Sequence, residues 1–369
     1  MTPRIFISAG EPSGDLHASH VARALKDRFP DLTLEAFGGP HLQEAGAVIR
    51  YPMAEYTVMG LAEMLPKIPA HFRLLRSVEK RFRAGEFDLA ILVDYPGFHL
   101  WLAESAHRAG VKVLYYIAPQ LWAWRPERAR RFAPVVDRLA VILPFEERFF
   151  ATVGMRAEYV GHPLVDRGPI ADRGAARAGL GLPPNGRVLA LFPGSRHQEI
   201  ERLWPAFRDA ALTLLAEGAC QTVVVAGTAD GVYEDPGPIR ISRGDPQSVF
   251  AAANAALAKS GTTTLEAALA DTPMVVAYRV HPFTSWVARR LMTVKWISLV
   301  NLIADAPVVD ELLQGDVNLA RLVEAVRPLL DPDDPKTIAQ RAGLKRVREL
   351  VGGPGAAARV AAIAAEMLG

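Results

Sequence analysis

The chain has 369 residues, half of them hydrophobic, and a net charge of +2 from 42 basic and 40 acidic side chains. That length exceeds one ordinary core and suits two domains, while the near-balanced charge argues against a nucleic-acid partner. A lone cysteine, Cys220, excludes an intramolecular disulfide framework, and no run reaches the roughly 18 to 20 apolar residues of a membrane span, so a cytoplasmic protein is expected.

The opening "MTPRIFISAGEPSG" has too short an apolar run and too early an acid for a secretion signal. "RIFISAG" predicts a strand that runs into an acidic loop and then a helix. A nucleotide-binding unit would offer glycines and N–H groups to a pyrophosphate at this place, whereas Glu11, Ser13 and Asp15 bring carboxylates, which points to a hydroxyl- or amine-bearing ligand. His17 and His20 follow at helical positions and read as packing or surface residues.

The stretch "YTVMGLAEMLPKIPAHFRLLRSVEKRF" then sets Val58, Met59, Leu61, Met64, Leu65, Ile68, Phe72, Leu74 and Leu75 beside Arg73, Arg76, Lys80 and Arg81. Such a segment can lie in a bilayer interface with apolar side chains inserted and cations at lipid phosphates, or it can be helix packed on the first domain with a charged outer face. "FDLAILVD" predicts a strand ending at Asp94 before a Pro-Gly break. A carboxylate at that tip can take a proton from an acceptor hydroxyl, or it can simply form the turn. Beyond "VKVLYYIA", "APQLWAWRPERARRF" joins Gln120, Trp122 and Trp124 to arginines, and the aromatics either floor a sugar or acyl site or belong to the core. "HFRLLRSVEKRFRAG" and "RPERARRFAPVVDR" together hold ten Arg and Lys residues, which suit an anionic partner such as a membrane surface or, equally, solvated helix faces.

"RLAVILP" and "AEYVGH" complete a first alternation of strands and helices, and the Gly-, Pro- and charge-rich residues 164–186 read as a hinge or linker plus a short helix. A second alternation begins with "RVLALFPGS", "TVVVAGTA", "AALAKSG" and "TPMVVAYRV". The predicted fold class is α/β, with two Rossmann-like domains facing a cleft over 1–165 and 166–354, and an Ala-rich helix over 355–369 that crosses back onto the first. Gly194, Ser195 and Arg196 fall at the end of a strand, where backbone N–H groups and an arginine fork suit phosphate oxygens, although an ordinary turn has the same pattern. Ser260, Gly261 and Thr262 open a helix whose N-terminus favours an anion, and Glu266, one turn on, can accept ribose hydroxyls or be a plain helix-start acid. Two such loops in one half point to a nucleotide diphosphate. No metal cluster is legible, "DPDDP" at 331–335 reads as a turn, and no cofactor is expected.

The blocks "SAGEPSGD", "DYPGF", "WAWRPERARR", "LPFEERFF", "VGHP", "PGSRHQEI", "SGTTTLEAAL", "PMVVAYRV" and "SLVNLIAD", in this order over essentially the whole chain, resemble the lipid-A-disaccharide synthases. The resemblance implies a GT-B-type glycosyltransferase that joins UDP-2,3-diacylglucosamine to 2,3-diacylglucosamine 1-phosphate (lipid X), with inversion, giving the β-1',6-linked disaccharide and UDP. It also implies peripheral attachment to the inner membrane of a Gram-negative cell. Carried over by motif, it makes Asp94 the essential base and Arg196 the phosphate arginine, puts Glu11 with Ser13 and Asp15 on the acceptor side, where Gln120 and Trp122 are further candidates from the residues themselves, and adds Asn301 to the donor set. The chain departs from the family's pattern at Gly97, where a second acid is common, and at Val300 and Asp305, where proline and glycine are common. A UDP-N-acetylglucosamine 2-epimerase would need no acceptor, and the peptidoglycan transferase would show a Gly- and His-rich first loop in place of GEPSGD. A non-catalytic nucleotide-sugar sensor could keep the UDP loops while losing the base, and Asp94 beside Arg196 speaks against it. Oligomeric state, a homodimer included, and acyl-chain length are left open.

Overall fold

Apolar runs of five or six residues bounded by Gly, Pro and charge are too short for helices and too apolar for a sheet with one wet face, so they form strands buried on both sides. The computed structural model describes residues 2–56, 61–123, 126–280 and 294–369, with only the backbone described for 61–66. The chain divides into two units, Met1–Asp166 with Gly353–Gly369, and Arg167–Gly352.

The first unit holds a seven-stranded sheet in the order β3-β2-β1-β4-β5-β6-β7. Its strands are β1 Arg4–Ala9, β2 Thr33–Gly38, β3 Val48–Pro52, β4 Leu89–Val93, β5 Lys112–Tyr116, β6 Arg138–Val141 and β7 Ala157–Tyr159, all paired in parallel. Because side chains alternate along a strand, Ile5 and Ile7 face one layer and Phe6 the other. The first layer is α1 (Pro12–Arg28) and the closing helix Ala356–Leu368, which buries Val360, Ile363, Ala364 and Met367 against Val21, Leu25 and Ile91. The Asp166 carboxylate caps that helix by accepting from Gly355 N at 2.6 Å, and Lys112 Nζ donates to the Met367 carbonyl at its other end at 2.5 Å. The second layer is α3 (Leu61–Arg83) and α4 (Pro96–Arg108), which bury Leu74, Val78, Phe82, Phe98 and Leu102 on Phe6, Leu92 and Tyr115.

The second unit holds six strands in the order β10-β9-β8-β11-β12-β13. They are β8 Val188–Phe192, β9 Thr222–Ala226, β10 Arg240–Ser242, β11 Ala255–Lys259, β12 Met274–Tyr278 and β13 Asp310–Leu313. Residues 164–186, expected as a hinge or linker plus a short helix, begin at the boundary between the units, are mostly exposed, and hold the helix Arg173–Gly179. Arg177, buried in the helix Arg173–Gly179, donates to the carbonyls of Ala252, Pro184 and Gly186 at 3.0, 2.8 and 3.0 Å and to Asn254 Oδ1 at 2.9 Å. An Arg inside a Gly- and Pro-rich sequence looks solvated until the carbonyls that it meets are known.

In each sheet the strand order reverses beside the first strand, between β1 and β4 and between β8 and β11. Loops leaving two such strands diverge to opposite faces, and the gap between them at the carboxyl ends is where open α/β sheets bind ligands.

Candidate functional site

At the reversal point of the first unit, the chain leaves β4 through two consecutive left-handed residues, Asp94 (φ 53°) and Tyr95 (φ 51°). That conformation costs an L-residue of order 1–3 kcal/mol and persists only when its surroundings over-determine it. Here they do. Asp94 N donates to the Tyr116 carbonyl at 2.9 Å, while its own carbonyl accepts from Tyr115 OH and His99 Nδ1, each at 2.6 Å. A carbonyl can only accept, so the His99 proton sits on Nδ1, and Nε2 accepts from Ser8 Oγ at 2.7 Å. His99 is fully buried, and burial pushes its pKa down to about 3, so it stays neutral. The Tyr95 ring lies on Gly10, where a Cβ would stand 2.3 Å from Cδ1, and Tyr95 OH bonds His71 Nε2 at 2.8 Å.

The turn therefore presents the Asp94 carboxyl half-buried at the head of β4. Burial first, and the charge of Glu11 second, push its pKa up to about 6, against the pull of a bond from Tyr95 N–H. Glu11 occupies the N-cap position of α1 without capping it, and Ser13 is exposed in the first turn. The structure thus brings Asp94, Glu11 and the Ser13 loop to one place.

It does not bring Asp15 there. Asp15 is fully buried and accepts from Gly39 N at 2.7 Å and His41 N at 2.9 Å, which caps α2 (Pro40–Glu44). The expectation that it faces the acceptor is corrected: the carboxylate has no exposed surface and both its oxygens accept from backbone N–H groups. Trp122 is likewise a core residue, its Nε1 donating to Glu146 Oε1 at 2.9 Å and its ring edge-on to Phe145. Gln120 is exposed, at the lip of a pocket beside the first turn of α4.

At the reversal point of the second unit, Gly194 (φ 130°) and Ser195 lead from β8 into the helix His197–Ala216. The N–H groups expected to cradle phosphate are occupied: Ser195 N and Arg196 N donate to Glu199 Oε2 at 3.0 and 3.3 Å. Lys259, at the tip of β11, holds the other oxygen at 2.9 Å. Burial pushes the Glu199 carboxyl up, but Lys259 and the two N–H groups outweigh it and hold the group below its ordinary value. A Cβ on Gly194 would stand 2.5 Å from the Glu199 Cβ, so this close approach demands glycine. Arg196 is left 78% exposed, with a loose 3.4 Å contact to Glu199. Glu199 and Lys259 escaped the sequence reading, although an acid three residues beyond an N-cap is a capping-box signal.

Gly261 (φ 138°) caps the helix Thr262–Leu269, whose first-turn N–H groups have no partners within the helix, and Ser260 Oγ donates to the Ile297 carbonyl at 2.7 Å. Glu266, expected to meet ribose hydroxyls, holds Arg167 at 2.7 Å, and burial raises its pKa against that pairing. Asn301 is corrected outright. It is fully buried and clamps the turn before β13, accepting from Val308 N and Val309 N at 2.8 and 2.9 Å and donating to the Val309 carbonyl at 2.9 Å. Asp305 takes φ 48°, the conformation a glycine would supply, so that departure keeps the backbone.

In α3, Leu74 is 2% exposed and belongs to the core, which corrects its place among membrane-inserting residues. Arg81 pairs with Glu35 at 2.9 Å and Glu86 at 2.6 Å and is not free for lipid. Ile68 and Phe72 are exposed, and Phe72 stacks on Trp101 at 5.4 Å. Val58, Met59, Trp124 and Arg125 and the side chains of Leu61, Met64 and Leu65 lie outside the described residues. Among the described residues no helix is long and apolar enough to cross a membrane, and no three-ligand metal cluster occurs.

Residues 5–353 match the family model described as lipid-A-disaccharide synthetase. The lipid-A-disaccharide synthase of Anaeromyxobacter sp. (strain K) is 42% identical over 370 residues, 98% of this chain and 96% of that protein. That of Myxococcus xanthus (strain DK1622) is 42% identical over 376 residues, 99% of this chain and 98% of its own. Among solved structures, the UDP-GlcNAc 2-epimerase of Neisseria meningitidis bound to UDP-GlcNAc has a TM-score of 0.64 at 11% identity, covering 100% of this chain and 99% of that one. The glycotransferase of kitacinnamycin has a TM-score of 0.63 at 17% identity, with 100% of both chains covered. These two likenesses are of fold.

Proposed function

The chain belongs to the lipid-A-disaccharide synthase family, a glycosyltransferase of lipid A assembly, and from that premise we propose that it joins UDP-2,3-diacylglucosamine to 2,3-diacylglucosamine 1-phosphate with inversion. The observation that carries the chemistry is the Asp94 carboxyl, held in a left-handed turn at the end of β4 with its pKa raised to about 6. A base poised just below neutrality is ionised at working pH yet basic enough to take a proton.

In this reading Asp94 accepts the proton of the acceptor 6-hydroxyl as that oxygen attacks the anomeric carbon of the donor. The new C–O bond forms as the bond to the UDP phosphate breaks on the opposite face, so an α-linked donor gives a β-linked product. Negative charge then grows on the departing β-phosphate. Exposed Arg196 and the first-turn N–H groups at Thr262 are suited to meet it, and Lys259 joins them when a phosphate displaces the Glu199 carboxylate from its cap. Glu11 and Ser13 orient acceptor hydroxyls beside the base.

The test is incubation of the purified chain with both lipid substrates in detergent and in vesicles, followed by mass spectrometry and assignment of the anomeric linkage. A β-1',6 disaccharide and stoichiometric UDP are expected. An α-linked product would overturn inversion, and no disaccharide under either condition would overturn the substrate assignment.

A further inference from the structure

An apolar opening close to Asp94 has no part in the chemistry described so far. Two residues past that carboxylate, Pro96 and Gly97 begin α4 and form one side of a pocket of ≈ 400 Å³. Leu100, Trp101, Leu121 and Phe132 line it together with Arg128 and Arg131, both of which are exposed. Among the described residues no acid lines it. Arg131 touches Glu104 at 3.5 Å across an exposed pair, a geometry worth little, and no ion pair to Arg128 occurs among the described residues. An apolar hollow with exposed cations in its lining is complementary to one class of ligand, an amphiphile whose hydrocarbon goes in and whose anionic group meets those cations.

We infer that this pocket is the subsite for a single acyl chain of the acceptor, with Arg128 and Arg131 meeting the acceptor's phosphate. The volume limits the occupant: ligand sites run from about 300 to 1,000 Å³, so this one is near the lower bound and holds one chain, with the second chain left outside. The position fits the chemistry, because a chain anchored between Pro96 and Phe132 leaves its headgroup within a few residues of the base. Each buried methylene adds to affinity, and the paired arginines select for phosphate over an uncharged headgroup. The proposal rests on the reading of the acceptor as an acylated sugar phosphate, but its binding test does not require turnover.

Gly97 supplies the decisive variant. Gly97 lines the pocket, a Cβ there meets nothing within 4 Å, and the residue lies in the first turn of a helix, so Gly97→Leu adds bulk to the lining with no clash at Cβ and no backbone strain. The full chain is titrated calorimetrically with dodecyl phosphate below its micelle concentration, with decyl phosphate, dodecyl maltoside and inorganic phosphate as comparators. Dodecyl phosphate should bind at least tenfold more tightly than maltoside or phosphate, and loss of two methylenes should weaken it by roughly tenfold. Gly97→Leu should abolish binding at unchanged thermal stability, and Arg128→Gln with Arg131→Gln should bring dodecyl phosphate down to the maltoside level. Equal affinity in folded Gly97→Leu, or binding indifferent to chain length, overturns the subsite. The two readings fail separately: disaccharide synthesis with unblocked dodecyl phosphate binding removes the subsite alone, whereas blocked binding without any disaccharide removes the reaction alone.

Discussion

Asp94 carries two opposed demands, and its titration exposes both. Its pKa of about 6 lies above the ordinary 3.8, so the folded chain holds a proton that the unfolded chain releases in that window, and stability falls as pH rises through it. Above pH 6 the ionised carboxylate destabilises the fold by of order 1–3 kcal/mol, since a tenfold change in proton affinity corresponds to about 1.4 kcal/mol. Asparagine tolerates the left-handed turn as aspartate does. Asp94→Asn should therefore raise the melting temperature by a few degrees at pH 8 and not at pH 4, while turnover falls by roughly 10² to 10⁴. Wild-type kcat/KM should drop about tenfold per pH unit below pH 6, which steady-state kinetics will show. His99→Leu leaves the Asp94 carbonyl and the Ser8 hydroxyl short of a partner; it should cost about 1–3 kcal/mol in denaturant unfolding and lower turnover, with UDP affinity by calorimetry unchanged. The positions of Asp94 and Arg196 just past strand ends were legible because a charged residue at a strand tip is visible in one dimension. His99 was not, since its meaning comes from Ser8, 91 positions earlier. Asp15 and Asn301 misled for the same reason: motif position says that a polar group matters, and only its partners say whether it meets backbone or ligand.

At the scale of elements, buried polar side chains that hold loops explain most of the departures from expectation. Glu146 accepts from Trp122 Nε1, Leu143 N and Ile142 N, and burial raises its pKa to about 7 against those bonds. Trp122→Phe should thus lower stability by about 1–3 kcal/mol while leaving KM for the acceptor unchanged; a raised KM at full stability would restore Trp122 to the binding surface. Along α3, one helix splits into faces with different tasks. Leu74→Ala should cost about 2–5 kcal/mol because the side chain is core. Ile68→Ser with Phe72→Ser should leave the melting temperature nearly unchanged and reduce sedimentation with anionic vesicles, the expected outcome if the exposed face touches lipid. Nine strands were easy to read as short apolar runs between Gly and charge, whereas β2, β3, β10 and β13 were not identified from the sequence. Within 164–186 the short helix was legible, whereas composition alone does not show that Arg177 is enclosed by carbonyls.

For the whole molecule, the double alternation of strand and helix was enough to give two parallel sheets, since a parallel connection needs a crossover and the sequence supplies one each time. Which strands become neighbours was not readable, and with it went the pairing of Glu11 with Asp94 and of Lys259 with Glu199. The closing helix has a consequence for how the chain is made. Val360, Ile363 and Met367 complete the layer over β1 and α1, yet they leave the ribosome only after the whole second unit. The second unit, Arg167–Gly352, is contiguous and has all its strands before that point. Pulse proteolysis of stalled nascent chains should find the second unit protected while the first is still cleavable, and the first unit gaining full protection only once Ala356–Leu368 has emerged. The part of the protein that bears Asp94 is begun before the second unit and completed after it, so a ribosome that stops short of Ala356–Leu368 yields a chain able to fold its Arg196 loop but not to seat its base.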